Sequence, residues 1–141
     1  MAWYRADLGV TPAPSNADLC SLWADQSGNG RTLSQATDTK MPAITAAALN
    51  EQTGLHFNGS SGSLGRSAAN WVDIDSGTIV MIVSYTDIIA ASQWTISSET
   101  DVYYGLGTTN HRVMNDGGVV IQNATHPAAG NAFVKVRLVF A

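Results

Sequence analysis

Lysine and glutamate are scarce in this chain. Lys40 and Lys135 are its lysines, and Glu51 and Glu99 are its glutamates. These residue types normally cover the water-facing side of amphipathic helices, so the composition excludes a fold built from exposed helices. Serine, threonine and glycine instead number 13 each, which is typical of short strands joined by turns. The composition therefore predicts an all-β protein.

Clustered positive charge, cysteine pairs and long apolar runs are also lacking. The formal net charge is −4 and the seven basic residues are scattered, which excludes a basic face for nucleic acid. The longest apolar run, residues 79–83, is far shorter than the roughly 20 residues of a membrane helix. Cys20 is alone, so no internal disulfide is expected and the thiol is predicted to pack in the interior. Residues 1–7 contain no signal core, which predicts a protein that is not exported by a cleaved signal.

Alternation and turn residues predict strands along most of the chain. Residues 3–6 form a predicted first strand that the prolines of segment 11–16 end. Segment 18–23 fits a helix or a strand, and the alanine-rich segment 43–49 is predicted as a helical turn. Further strands are predicted at 54–57, 78–85, 94–98, 103–107, 112–115, 119–122 and 133–140. Their spacing of roughly 8–12 residues is typical of a β-sandwich.

Two of these strands have informative side-chain patterns. Segment 78–85 has apolar residues at both odd and even positions, which predicts a central strand of a sheet that is covered on both faces. The last strand alternates strictly, with Lys135 and Arg137 on one face and apolar residues on the other. These apolar residues are Val134, Val136, Leu138 and Phe140.

Several short segments occur in an order that resembles a known superfamily. They are an aromatic-Ala-Asp start at 3–7, the turn 23–30, Pro42, and the segment 55–60 that contains Phe57-Asn58-Gly59. This order resembles the concanavalin A-like lectin/glucanase superfamily, in its laminin G-like branch, which is frequent in phage fibre and other virion proteins and in bacterial surface proteins. The resemblance covers most of the chain, and the turn 23–30 is its most specific part.

The resemblance implies an antiparallel two-sheet jelly-roll sandwich that forms one domain over residues 1–141. It places Trp3 and Trp23 in the core, and Phe57 is expected to insert there too. Domains of the superfamily usually continue past a strand like 134–140 into closing strands, which this sequence does not contain. The domain is then abbreviated, or completed by another chain, or a fragment. Because open strand edges are usually covered, we expect an assembly edge at Val134, Val136, Leu138 and Phe140, facing a copy of the chain or another virion protein.

Catalysis is not expected. Glucanases of the superfamily use two strand carboxylates, and a retaining pair must lie roughly 5–5.5 Å apart, as positions i and i+2 or i+4 do. Glu99 and Asp101 have this spacing but lie in a polar turn, and Asp73 and Asp75 lead into a Ser-Gly turn. The sequence therefore predicts a protein that is not an enzyme, with Glu99 as the single catalytic candidate to test.

Two binding chemistries are compatible with the sequence. Carbohydrate binding needs an exposed aromatic ring beside polar groups, and the candidates are Trp71, Trp94, Tyr103 and Tyr104. Relatives in the laminin G-like branch often hold calcium at the sandwich rim, and the candidate ligands here are Asp73, Asp75 and Asp101. No run of acidic residues has the spacing of a calcium loop, so turn formation is the favoured interpretation and no cofactor is expected.

Three functions remain open. The first, which we favour, is a non-catalytic structural and adhesive module of a virion: a phage capsid decoration, head-fibre or tail-fibre component. Such a module assembles with copies of itself or other virion proteins inside the cell, which suits a chain without an export signal, and it binds surface glycans. The second is a carbohydrate-binding module of a larger bacterial surface protein. The third is a degenerate glucanase. Neither nucleic acid nor a membrane is an expected partner.

Overall fold

Eleven β-strands and one short 3₁₀ turn form the regular structure of the residues that the computed structural model describes. These residues are 2–66, 77–83, 93–97, 102–106, 110–115, 120–125 and 134–140. Their contacts divide the chain into two compact units, Met1–Trp71 and Val72–Ala141. The predicted all-β class is confirmed.

Five strands form one antiparallel sheet in the first unit. They are β1 (Val10–Ala13), β2 (Asn16–Trp23), β3 (Leu33–Ser34), β4 (Ala43–Leu49) and β5 (Gln52–His56). Their order is β1-β2-β4-β5, and β3 pairs with β2 beside this path. A single 3₁₀ turn at Asp38–Lys40 precedes β4. The segment that fitted either a helix or a strand is therefore the strand β2.

The prediction of a strand at residues 3–6, ended by prolines, is wrong. In this segment Arg5 forms an isolated bridge with Leu8 across a turn, and the first regular strand is β1, which contains Pro12. β1 lies at the end of the sheet order, where a strand tolerates a residue without an N–H group. The register shifts on both sides of Pro12, so the strand accommodates the proline by bulging.

The prediction of a helical turn at residues 43–49 is also wrong, because this segment is the strand β4. β4 pairs with β5 in a hairpin whose two central residues, Asn50 and Glu51, both have positive φ, at 47° and 63°. Positive φ at both positions is the geometry of a type I′ turn, which matches the twist of the strands. Hairpin pairing therefore overrides the helix preference of the alanines.

The interior of the first unit is small. Among the described residues the buried apolar side chains are Ala13, Cys20 and Met41, and Pro42 is fully buried beside them. The predicted packing of Cys20 is confirmed, since the thiol is fully buried and burial raises its pKa. The predicted core positions of Trp3 and Phe57 are wrong, because these side chains are 43% and 41% exposed.

Six strands form two antiparallel sheets in the second unit. They are β6 (Gly77–Val83), β7 (Gln93–Ser97), β8 (Val102–Leu106), β9 (Asn110–Asn115), β10 (Val120–Thr125) and β11 (Val134–Phe140). The strands β7 to β10 form a four-stranded meander in chain order, and β6 pairs with β11 as a two-stranded ribbon. The six strands predicted in this half are thus confirmed, with shifts at their ends.

The ribbon differs from its prediction in one respect. Val80 and Ile82 of β6 are 54% and 61% exposed, so the expectation that β6 is covered on both faces is wrong for the face that carries them. All seven residues of β6 pair with β11 without a register break, from Gly77 opposite Phe140 to Val83 opposite Val134. Whether the sheets form a jelly-roll sandwich in a single domain stays a prediction.

Candidate functional site

The turn after β2 is organised by the carboxylate of Asp25. Its Oδ1 accepts hydrogen bonds from the backbone amides of Ser27 at 2.9 Å and Trp3 at 3.2 Å. Its Oδ2 accepts from the Ser27 hydroxyl at 2.8 Å and the Arg31 amide at 3.1 Å. Gly28 and Gly30 close the loop with φ of 80° and 66°, values that other residues adopt only with strain. One side chain therefore holds both the loop and the N-terminal segment.

The same segment rests on Trp23, the last residue of β2. The Trp23 indole Nε1 donates to the Arg5 carbonyl at 2.9 Å, and the ring lies 5.3 Å from that of Tyr4. The Tyr4 hydroxyl donates to the Arg31 carbonyl, and the backbone N–H of Gln26 donates to the Trp3 carbonyl at 2.9 Å. The aromatic-Ala-Asp start and the turn 23–30 thus contact each other, which explains in structural terms why both segments are present.

Hydrogen bonding sets the charge state of Asp25. Desolvation raises the pKa of its carboxyl, but the donors from Ser27, Arg31 and Trp3 together outweigh this effect and hold the pKa well below its usual range. A carboxylate that faces four N–H or O–H donors is poorly arranged to ligate a cation. Within the described residues no cluster of three His, Cys, Asp or Glu side chains is placed to hold a metal ion.

A second organised turn follows β5 at Asn58. Its Oδ1 accepts hydrogen bonds from the amides of Ser60 at 3.0 Å, Ser61 at 2.9 Å and Gly62 at 2.8 Å. Its Nδ2 donates to the Ser61 hydroxyl, which in turn donates to the Thr39 carbonyl. The Asp25 carboxylate and the Asn58 side-chain amide are therefore both occupied in holding backbone.

Three of the four predicted carbohydrate residues lie in the second unit. Trp94 is in β7, Tyr103 and Tyr104 are neighbours in β8, and Trp71 lies outside the described residues. Tyr103 and Tyr104 are adjacent in β8, and adjacent positions of a strand belong to opposite faces of its sheet. The register assigns Trp94 to the face of Tyr103, because Trp94 is opposite Gly105, two residues after Tyr103.

The remaining predicted residues are placed as follows. The calcium candidates Asp73, Asp75 and Asp101 and the catalytic candidate Glu99 lie outside the described residues. The assembly-edge residues Val134, Val136, Leu138 and Phe140 occupy alternate positions of β11, opposite Val83, Met81, Ile79 and Gly77 of β6. Sequence reasoning missed the exposure of Val80 and Ile82, because an apolar run gives no sign of which face is covered.

No protein family, no curated protein and no solved structure matches this chain. None of the described helical structure is long and apolar enough to cross a membrane.

Proposed function

We propose that this chain is a non-catalytic structural and adhesive module of a virion, built as a β-sandwich of jelly-roll type, which assembles with copies of itself. The observation that carries the assembly is the ribbon of β6 and β11, with Val80 and Ile82 exposed on one face. The virion setting is supported by the resemblance of segments 3–7 and 23–30 to domains of virion proteins.

The ribbon of β6 and β11 has few neighbouring strands. Within the described part of the chain, β6 pairs with β11 and neither strand has a second neighbour. A two-stranded ribbon is at best marginally stable in water, and further strands or a covering layer are needed to stabilise it. A strand added beside β6 covers part of the exposed surface of Val80 and Ile82, which contributes about 2 kcal/mol per copy. Association therefore stabilises this part of the protein.

The two edges of the ribbon differ in charge. β11 carries Lys135 and Arg137, and charged residues on an edge strand oppose pairing with another strand. β6 contains neither a charged residue nor a proline over Gly77–Val83. We therefore propose β6, rather than β11, as the edge that pairs between copies.

Self-pairing of β6 is consistent with its sequence. Antiparallel pairing about a two-fold axis at Val80 places Val80 opposite its own copy and Thr78 opposite Ile82, with no like charges opposed. The equivalent pairing of β11 about Arg137 places two arginines directly opposite each other, which destabilises a sheet. A symmetric four-stranded ribbon, β11-β6-β6-β11, is the assembly that these registers favour.

Introducing a charge at Val80, on the two-fold axis, tests this assembly. Val80→Lys opposes two lysines across the axis, and we expect it to weaken self-association at least tenfold in native mass spectrometry and light scattering. Val80→Glu has the same effect alone, but mixing the two variants pairs Lys with Glu and restores a heterodimer, which uniform nitrogen-15 labelling of one variant identifies by mass. Leu8→Lys is the matched control, because Leu8 is also exposed, at 46%, but lies in the first unit.

Three results would contradict the assembly. One is a wild-type chain that stays monomeric at roughly 100 micromolar, which means an association free energy weaker than about −5.5 kcal/mol. Another is unchanged association of both Val80 variants, and the third is a mixture that gives no heterodimer. Circular dichroism of each variant establishes that the β-structure is retained.

A further inference from the structure

The N-terminal segment presents every second side chain to solvent. Trp3 is 43% exposed, and the side chains of Arg5 and Asp7 are 51% and 25% exposed. Tyr4 and Ala6, which lie between them in the chain, are half-buried. The Cα atoms of consecutive members are at most about 7 Å apart, because two residues of a fully extended chain span no more. Trp3, Arg5 and Asp7 therefore form an outer row on this segment.

Hydrogen bonds fix the backbone of the outer row. The Trp3 N–H donates to Oδ1 of Asp25 at 3.2 Å, and the Trp3 carbonyl accepts from the backbone N–H of Gln26 at 2.9 Å. The Arg5 carbonyl accepts from the indole N–H of Trp23 at 2.9 Å. These bonds use backbone atoms of Trp3 and Arg5, so they position the two side chains without covering them. A surface that is held in place before a ligand arrives loses less entropy when it binds.

Arg5 and Asp7 form an ion pair with two parallel hydrogen bonds. Nε of Arg5 donates to Oδ1 of Asp7 at 3.0 Å, and Nη2 of Arg5 donates to Oδ2. A guanidinium has five N–H donors, of which this pair uses two, and each carboxylate oxygen can accept more than one hydrogen bond. The hydrogen bond from Arg5 lowers the pKa of Asp7, so both groups are charged at neutral pH and the pair carries no net charge. The pair therefore presents donors and acceptors side by side.

A sugar ring combines the two surfaces that the outer row offers. One face of a pyranose carries C–H groups with a small positive charge, and the face of an aromatic ring is negative, so an exposed indole attracts the C–H face. Each hydroxyl of the same ring is both a donor and an acceptor, which matches a guanidinium and a carboxylate that are held together. An apolar surface beside a few fixed polar groups is typical of small-molecule sites.

The carboxylate of Asp7 disfavours an acidic sugar. Asp7 already occupies two parallel N–H donors of Arg5, which is the arrangement by which a guanidinium recognises a carboxylate. A carboxylate on the ligand would also lie beside Asp7, and like charges at short distance repel. The net charge of −4 acts in the same direction. A neutral sugar avoids all three costs.

We infer that Trp3, Arg5 and Asp7 bind a neutral hexose unit of a surface glycan. The C–H face of the sugar lies on the Trp3 indole, and its neighbouring hydroxyls bond to Arg5 and Asp7. This inference rests on the adhesive part of the proposed function, and it assigns adhesion to the first unit, whereas β6 belongs to the second. Because the row is exposed, each copy binds weakly, and the assembly of copies strengthens attachment to a surface that carries many glycans.

Paired probes test the class of sugar on the full chain. Isothermal titration compares the methyl glycosides of glucose, galactose and mannose with those of the corresponding uronic acids, so each pair differs by a carboxylate in place of a hydroxymethyl group. We expect at least one neutral probe to bind with a Kd of about 1–10 mM, about tenfold more tightly than its acidic partner. The three pairs distinguish which hexose is preferred.

Variants assign the binding to the outer row. Trp3→Ala should weaken the neutral probe about tenfold or more, and Phe57→Ala is the matched control, because Phe57 is 41% exposed and follows β5 in the same unit. Asp7→Asn releases the guanidinium of Arg5, so we expect the preference to reverse and the acidic probe to bind more tightly than the neutral one. Asp38→Asn removes the same charge from an exposed residue of the 3₁₀ turn and should leave the preference unchanged.

Any of three outcomes would overturn the inference: no binding of a neutral probe, an equal loss from the Trp3 and Phe57 substitutions, or an unchanged preference in Asp7→Asn. Circular dichroism of each variant establishes that the β-structure is retained. Light scattering of the same samples separates this failure from that of the proposed assembly. A chain that dimerises through β6 but binds no probe is a structural module without this site, and a monomer that binds through Trp3 has the site without the assembly.

Discussion

Asn58 offers a quantitative test of how the turn after β5 is held. Asn58→Ala removes an acceptor for three backbone amides, at 3.0, 2.9 and 2.8 Å, together with a donor to Ser61. Each neutral hydrogen bond contributes roughly 0.5–1.5 kcal/mol. Because the turn is exposed, water replaces part of this loss, as at helix N-caps, where the equivalent substitution costs roughly 0.5–2 kcal/mol. We expect the free energy of unfolding to fall by about 2 kcal/mol, at the upper end of that range.

Urea unfolding followed by tryptophan fluorescence measures this change, since Trp3 and Trp23 both lie in the first unit. Asn16→Ala is the graded control. Its Oδ1 is also exposed but accepts from one amide, that of Asp18 at 2.9 Å, so we expect a loss of about 0.5 kcal/mol. Equal losses at the two positions, or a larger loss at Asn16, would refute the reasoning that the number of amides held by one oxygen sets the cost.

Two further predictions concern the turn at Asp25 and its neighbours. The pKa of Asp25 is lowered in the folded protein, so the charged carboxylate stabilises the fold fully above the unfolded pKa of about 3.9, and this stabilisation is lost as the pH falls below that value. Asp25→Asn should therefore lower the thermal midpoint at pH 7 and flatten the dependence of that midpoint on pH below about 4. A midpoint that falls equally steeply in acid for both proteins would contradict this. Gly9→Ala should cost about 2–3 kcal/mol in urea unfolding, because Gly9 has a φ of 91° and an added Cβ lies 3.2 Å from Ala24 and displaces the Gln26 side chain from its hydrogen bond to the Ala24 carbonyl, whereas Gly28→Ala, with a φ of 80° and open space, should cost about 1–2 kcal/mol. Equal costs would show that the contact with Gln26 is unimportant.

The sequence predicted the fold class and most strands of the second unit because those signals are local. The scarcity of lysine and glutamate and the strict alternation of segment 133–140 can be recognised without knowing which other segments lie nearby. The strand β11 coincides with the alternating segment. The hydrogen-bonding role of the turn 23–30 was also readable, because Asp, Ser, Asn and Gly bond or bend the backbone within a few residues.

The failures lie where distant segments decide the outcome. Segment 43–49 is rich in alanine, but pairing with β5 makes it a strand. Segment 3–6 is held by Asp25 and Trp23 rather than by strand pairing, and Pro12 is accepted because β1 lies at the end of its sheet. Each of these outcomes depends on a neighbour that no local pattern identifies.

The candidate sites show the same division. Residue types alone selected Trp94, Tyr103 and Tyr104, but only the cross-strand register shows that Trp94 is opposite Gly105 and Tyr103 opposite Ser97. The sequence by itself determined that this protein is all-β, because composition and alternation act through each strand's own side chains. The tertiary structure decided which strands meet and which apolar residues stay exposed, since pairing and register are set between segments far apart in the chain.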